Sequence, residues 1–376
     1  MKIGVLTGGG DCPSLNAVLR AIVKSAIYEF GMEVTGFMDG FWGLIHNKVI
    51  PLDINKASGI LAQGGTILGA NNKCDPFRMP VGSNGDTRYE NLSQQCVHNY
   101  RSHKLDALVV IGGDGTLTVA NKLCKMGIPI VAVPKTIDND VMETDITCGF
   151  DSAVTTATDA IDKIRTTAES HHRVMVIEVM GRYVGWLSLY AGIASGADII
   201  LIPEIPYDIG VIAKHILRRK EAGKSFSLVV VAEGAIPIDG NLVLREYVQD
   251  SHDPVRLGGI GDRVAKEISR LTGLESRITV LGHIQRGGSP TAFDRILATR
   301  LGSAAIEQVA LGTYGVMVGI RGNVVVPVPI EAAVSQLKTV PPYCSLLGIA
   351  RNLGTSFGSD EVAIPDRESL PLAKSA

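Results

Sequence analysis

Residues 107–116 read Ala-Leu-Val-Val-Ile-Gly-Gly-Asp-Gly-Thr, and this stretch decides the fold. Its apolar residues run on without alternating with polar ones, as in a strand covered on both faces rather than one that meets water. Two glycines, a carboxylate, a third glycine and a threonine then lead into an amphipathic, helix-length segment at 116–126. The same grammar recurs on either side. Residues 2–7, 128–134, 173–180, 198–203, 228–232 and 278–282 read as further buried strands, and 16–29, 152–168, 209–222, 262–271 and 291–311 as helices. Strand followed by helix, repeated, predicts an α/β chain of two Rossmann-like, doubly wound domains with mostly parallel sheets and right-handed crossovers. Ligands of such sheets sit beyond the carboxyl ends of the strands.

A length of 376 residues carries a prior of two to three domains, and 45% hydrophobic residues are enough for a sizeable core. With 42 glycines and only 5% aromatics, the composition suits tight phosphate-binding turns on aliphatic sheets. A formal net charge of -2 argues against a nucleic-acid partner. The six cysteines show neither a CxxC pair nor zinc-like spacing, which reads as a reduced chain. No secretory leader and no membrane-length apolar run is visible, so a soluble, cytoplasmic protein without a membrane partner is expected. Residues 359–376 lack aromatics and read as a flexible tail.

The polar residues that follow the strands carry the chemistry. Gly8, Gly9, Gly10 and Asp11 stand between the first strand and a helix, where backbone N–H groups approach a polyphosphate; a tight turn binding nothing explains them equally well. Neither a Walker A lysine nor a GxGxxG dinucleotide fingerprint is present. Gly113, Asp114, Gly115 and Thr116 put a carboxylate where a magnesium–phosphate complex can sit, with Thr116 as candidate cap of the next helix. This GGDGT run recurs in kinases of NAD and of diacylglycerol, so it points to phosphoryl transfer without naming the acceptor. Lys135, Thr136, Asp138 and Asp140 follow the next strand. Two carboxylates together at one strand end repel unless cations or chemistry justify them, and one can serve as a base. Arg173, Arg182, Arg277 and Arg286 each fall at a strand boundary, and their planar guanidinium groups suit phosphate oxygens. His283 and Glu233 join this set.

With these stretches in place, the chain resembles the ATP- and pyrophosphate-dependent phosphofructokinases. The matching runs are KIGVLTGGGDCPSLNAVLRA, GGTILG, VVIGGDGTLT, VPKTIDND, HHRVMVIEVMGRYVGWL, VVAEG and ESRITVLGHIQRGGSPTAFDR, in collinear order. The resemblance implies a donor-binding domain at 1–149 with about 285–335 and a sugar-phosphate domain at 150–284 with about 336–358. It makes Asp138 the base and Asp114 the carboxylate linked to Mg²⁺. Gly9, Gly113, Gly115 and Thr116 become the donor-phosphate cradle. Thr136 and Asp140 then flank the transferred group, Lys135 lies beside them, and Arg182 stabilises its charge. Met180, Gly181, Glu233, His283 and Arg286 become contacts to fructose 6-phosphate. Arg173 and Arg277 match arginines that reach in from a neighbouring subunit, so a homo-oligomer, dimer or tetramer, with a shared active site is implied. Residues 71–74 depart from the family: Lys73, followed by Cys74, stands where bacterial relatives often set an arginine facing the donor.

The donor signature is mixed. Pyrophosphate users resemble GGDD with PKTIDND, and many ATP users resemble GGDG with PGTIDND, whereas this chain combines Gly115 with Lys135. An aspartate at 115 would set a carboxylate where the α-phosphate of ATP must lie, so Gly115 favours ATP. Pyrophosphate remains the alternative donor. From another class, an inactive sugar-phosphate-binding regulatory subunit is the third reading.

Overall fold

The computed structural model describes residues 1–81, 88–240, 244–247 and 255–360. Among these, eleven strands build the two main sheets: β1 (Lys2–Thr7), β2 (Glu33–Phe37), β3 (Val49–Leu52), β4 (Ala107–Gly112), β5 (Ile130–Pro134), β6 (Val174–Val179), β7 (Ile199–Leu201), β8 (Ser227–Ala232), β9 (Ser276–Val280), β10 (Val316–Arg321) and β11 (Val324–Pro329). The seven-stranded sheet has the order β11-β10-β5-β4-β1-β2-β3, and the four-stranded sheet β9-β6-β8-β7. The smaller sheet is parallel throughout. In the larger one, only the outermost pairs, β2 with β3 and β10 with β11, run antiparallel. The α/β, mostly parallel expectation holds.

The buried strands follow the physics that predicted them. Every residue of β4, β5, β6 and β8 is buried. Alternate residues of β6 enter different cores: Met175, Ile177 and Val179 join one with Leu189 and Leu228, while Val174 and Val176 join another with Ile260 and Ile268. That is the double coverage a continuous apolar run implies. Strands β2, β3, β10 and β11 escaped that criterion. Glu33 and Thr35 break the run in β2, Gly319 breaks it in β10, and β11 carries Pro327 and Pro329 at the sheet edge, where a missing N–H is tolerated. The strand expected at 278–282 is shifted to 276–280, because residues 282–286 wind into a 3-10 turn.

The helices that position the site are α1 (Leu15–Tyr28), α2 (Asp114–Lys125), α3 (Phe150–His171) and α4 (Ala292–Ala310). The chain divides into two compact units. One comprises Met1–Thr155, Tyr247–Arg256 and His283–Lys338, and the other Thr156–Glu246, Leu257–Gly282 and Thr339–Ala376. The expected tail lies, from residue 361 onward, outside the described residues.

Candidate active site

In the first unit, three chain segments that follow β1, β4 and β5 converge. The N–H of Gly8 donates to Ile111 O at 2.9 Å, and that of Lys135 to Gly112 O, also at 2.9 Å. Thr116 locks two of the loops together. A Cβ on Gly8 would stand 2.5 Å from its Cγ2, and one on Gly112 2.3 Å from its Cβ, so only glycine fits at either place. This corrects the expectation that Thr116 caps the helix. Helix α2 already begins at Asp114 with Gly113 as an extended N-cap, and Thr116 is a buried spacer in the first turn. Asp114 and Gly115 stand half-buried at the helix start, where main-chain N–H groups lack intrahelical partners.

Lys135 is 3% exposed, and its Nζ donates to Gly10 O. Burial pushes its ammonium pKa down; Cys12, Asp11 and Asp138 oppose the shift, while Arg286 adds to it. Arg286 holds the other side of the glycine loop, donating from Nη1 to Asp11 O at 3.1 Å. Gly9 adopts φ +74°, and a Cβ there would lie 3.1 Å from Thr116 Oγ1. Lys135 and Arg286 thus each hold a carbonyl of the glycine loop.

The segment after Lys135 is a turn tied from within. Thr136 Oγ1 accepts from Asp138 N–H at 3.1 Å, and Thr147 Oγ1 donates to Thr136 O at 2.8 Å. Asn139, at φ +55°, accepts from Thr147 N–H at 3.1 Å. Asp138 and Asp140 are 7% and 6% exposed. Asp138 Oδ1 is buried without a hydrogen-bond partner, an acceptor that the turn itself does not satisfy.

Residues 64–69 dock beside β1. Asn16 of α1 accepts from Ile67 N–H at 2.8 Å, and Thr7 Oγ1 donates to Gly69 O at 2.8 Å. Lys73 is exposed. Cys74 corrects its expectation: it belongs to the apolar core with Phe41 and Leu44, and burial pushes its thiol up to about 12. His283 is exposed on the 3-10 turn that also carries Arg286.

In the second unit, Met180, Gly181 and Arg182 leave the carboxyl end of β6, and Glu233 that of β8. Arg182 adopts φ +55°, and its N–H donates to Glu233 Oε1 at 3.0 Å. Gly234 is required there, since a Cβ would lie 2.0 Å from Arg182 O. Arg173 and Arg277 do not join this cluster. They stand at the amino ends of β6 and β9, and Glu275 pairs with both, at 2.8 Å to Arg173 Nε. A strand has two ends, here roughly 20 Å apart, and position at a strand boundary did not tell them apart.

Sequence reasoning missed Asp294 of α4. Fully buried, it accepts from Gly149 N–H at 3.0 Å, Ser152 N–H at 2.9 Å and Ser152 Oγ at 2.6 Å, which anchors the start of α3. Locally only its main-chain N–H is engaged, donating to the N-cap Thr291 Oγ1 at 3.2 Å, which says nothing of the carboxylate's role. Lys338, bonded to the 136–145 turn, was missed too. Among the described residues, no three His, Cys, Asp or Glu side chains converge on a metal position.

A phosphofructokinase family model matches residues 2–309. ATP-dependent 6-phosphofructokinase 2 of Clostridium perfringens is 49% identical over 95% of this chain and 98% of that protein. Pyrophosphate–fructose 6-phosphate 1-phosphotransferase of Streptomyces coelicolor is 48% identical over 95% of this chain and 100% of that one. Among solved structures, Pichia pastoris phosphofructokinase in the T-state superposes with TM-score 0.76 at 33% identity. The match covers 94% of this chain and 36% of the Pichia chain, so this chain spans a little over a third of it. A pyrophosphate-dependent phosphofructokinase from Marinobacter aquaeolei shares the fold, with TM-score 0.75 at 20% identity over 95% of this chain and 92% of that one.

Proposed function

The chain belongs to the phosphofructokinase family, and on that premise we propose that it transfers the γ-phosphoryl group of ATP to the 1-hydroxyl of fructose 6-phosphate, giving fructose 1,6-bisphosphate. The observation that carries this reading is Asp138, whose Oδ1 is buried without a hydrogen-bond partner in the turn that follows β5. A subunit that only binds sugar phosphate has no use for such a group. Asp138 takes the proton of the 1-hydroxyl as that oxygen attacks the γ-phosphorus, and ADP leaves in line. Arg182 has the role of stabilising the charge on the transferred oxygens, and Thr136 and Asp140 that of flanking them. The first unit then binds the donor through Gly9, Gly113, Gly115 and Thr116. Met180, Gly181, Glu233, His283 and Arg286 are the residues assigned to the sugar phosphate. Lys135 sets the height of the glycine loop by its bond to Gly10 O.

Mg²⁺ fits this donor set. It is ordinarily held by one or two carboxylates plus substrate phosphates, and Asp114 offers one carboxylate at a helix start. Held there, the ion would neutralise charge on the donor phosphates. Arg173 and Arg277, at the far ends of their strands from Arg182, serve a neighbouring copy's site, which makes the enzyme a homo-oligomer. No helix among the described residues is long and apolar enough to cross a membrane, and a cytoplasmic location belongs to the same proposal.

Pyrophosphate is the second reading, favoured by Lys135 and by relatives of both donor types at nearly equal identity. Initial rates on fructose 6-phosphate with ATP and with pyrophosphate, for wild type and Gly115→Asp, decide between them. The expected result is ATP use by wild type and its loss in the variant through clash and charge repulsion with the α-phosphate. Wild-type preference for pyrophosphate would overturn the ATP assignment, and a variant still using ATP normally would show that residue 115 does not read the donor.

A further inference from the structure

We propose that Lys338 is a positioning residue for the reacting turn, a side chain that holds Asn139 and residues 144–145 so that Asp138 and Asp140 keep their geometry. Lys338 lies beyond residue 309, where the family match ends. Its Nζ donates to Asn139 Oδ1 at 2.9 Å, Thr144 O at 2.9 Å and Asp145 O at 3.0 Å, which engages all three ammonium protons. Its main-chain N–H donates to Asp140 O at 2.9 Å, and Leu337 forms an isolated bridge with Val141. One short segment thus holds the turn by side chain and backbone together. Asn139 stands between the two carboxylates in the left-handed region, a conformation a non-glycine residue keeps only when its surroundings impose it. Thr147 N–H and Lys338 Nζ supply that constraint by meeting at the same amide oxygen.

Burial pushes the Lys338 amine down to about 8, opposed by Asp140 and Asp145. The Glu143–Arg321 ion pair ties the same turn to the β10–β11 hairpin, and Gly322 N–H donates to Asp145 Oδ2 at 2.7 Å. The hairpin fixes one flank of the turn, and Lys338 fixes the residues next to the base. Phosphoryl transfer depends on such placement, since a displacement of about 1 Å can cost on the order of a hundredfold in rate.

This proposal rests on Asp138 being the base, so its test needs a readout that does not depend on turnover. Amide hydrogen exchange, Tm, kcat and both KM values are measured for wild type, Lys338→Met and Lys338→Arg. In Lys338→Met, faster exchange is expected at residues 136–147 and not elsewhere in the first unit. Its kcat should fall by about ten- to a hundredfold while both KM values stay within about threefold, and Lys338→Arg should recover much of the loss. Unchanged kcat, a loss confined to KM, or exchange rising evenly across the first unit would each overturn the proposal. Should Lys338→Met not fold, the pH profile of Lys338→Arg decides: its permanent charge should remove an alkaline fall in kcat that wild type shows, and an identical fall in both would refute the role. A wild type inactive with either donor would sink the proposed function, while the exchange pattern would still decide on Lys338.

Discussion

Two charged regions looked alike in the sequence, and the structure separates them. The turn at 136–140 buries its carboxylates, ties itself through Thr136, Asn139 and Thr147, and is held from outside by Lys338. The Arg173–Glu275–Arg277 cluster sits at the amino ends of β6 and β9, with side chains 28%, 45% and 58% exposed. Buried charges in the turn are set before any substrate arrives. Arg173 and Arg277 share Glu275 through ion pairs that water and salt screen, so these partners are exchanged at little cost. Preorganisation belongs to the first region and exchangeability to the second.

The largest effect expected from this contrast is at Asp138. Asp138→Ser should lower kcat by ~10²–10⁴-fold, the usual worth of a positioned base, with sugar-phosphate affinity largely intact. A variant keeping more than about a tenth of wild-type turnover would remove the base from the mechanism.

Arg277→Ala should act on binding instead. A charge-assisted phosphate contact is worth roughly 1.5–3 kcal/mol, so the apparent KM for fructose 6-phosphate should rise about ten- to a hundredfold with the donor KM unmoved. Mixed oligomers of Arg277→Ala and Asp138→Ser protomers should regain activity if the arginine serves a neighbour's site. No recovery in verified mixed oligomers would count against that geometry.

A third outcome sharpens the difference in burial. The Lys338 amine is held near 8 in the fold, against 10.5 as its ordinary value. Between these two pH values the unfolded chain binds the extra proton, so the contribution of this group to stability rises with pH across that window. Chemical denaturation of wild type against Lys338→Met should show the wild type gaining relative stability from about pH 8 upward. A flat difference would mean that burial does not depress this amine.

The smallest effect belongs to Glu275. Its carboxyl is held below the usual range by the Arg173 hydrogen bond first, then by the charges of Arg173 and Arg277. Glu275→Gln should leave Tm within error of wild type and lower the apparent KM for fructose 6-phosphate slightly, because the arginines no longer have a competing partner. A clear loss of Tm would show the exposed cluster to be structural.

Much of the molecule could be read from residue order alone. Continuous apolar runs at β1, β4, β5, β6 and β8 announced buried parallel strands, since a strand covered on both faces leaves no place for polar residues. The glycine-rich exits and the 136–140 turn stood out because glycine and paired carboxylates are costly where nothing requires them. Other features depended on partners distant in sequence. Thr116 became a spacer because Gly8 folds over it, and Cys74 a core residue because it joins the apolar cluster of Phe41, Leu44 and Cys96. Arg173 and Arg277 come together around Glu275 only through the register of β9 on β6. Asp294 and Lys338 carry no local signal of their roles, because their acceptors and donors lie more than a hundred residues away. Periodicity and turn chemistry act between near neighbours and so are written in the sequence, whereas the partner of a buried charge is chosen when distant segments pack.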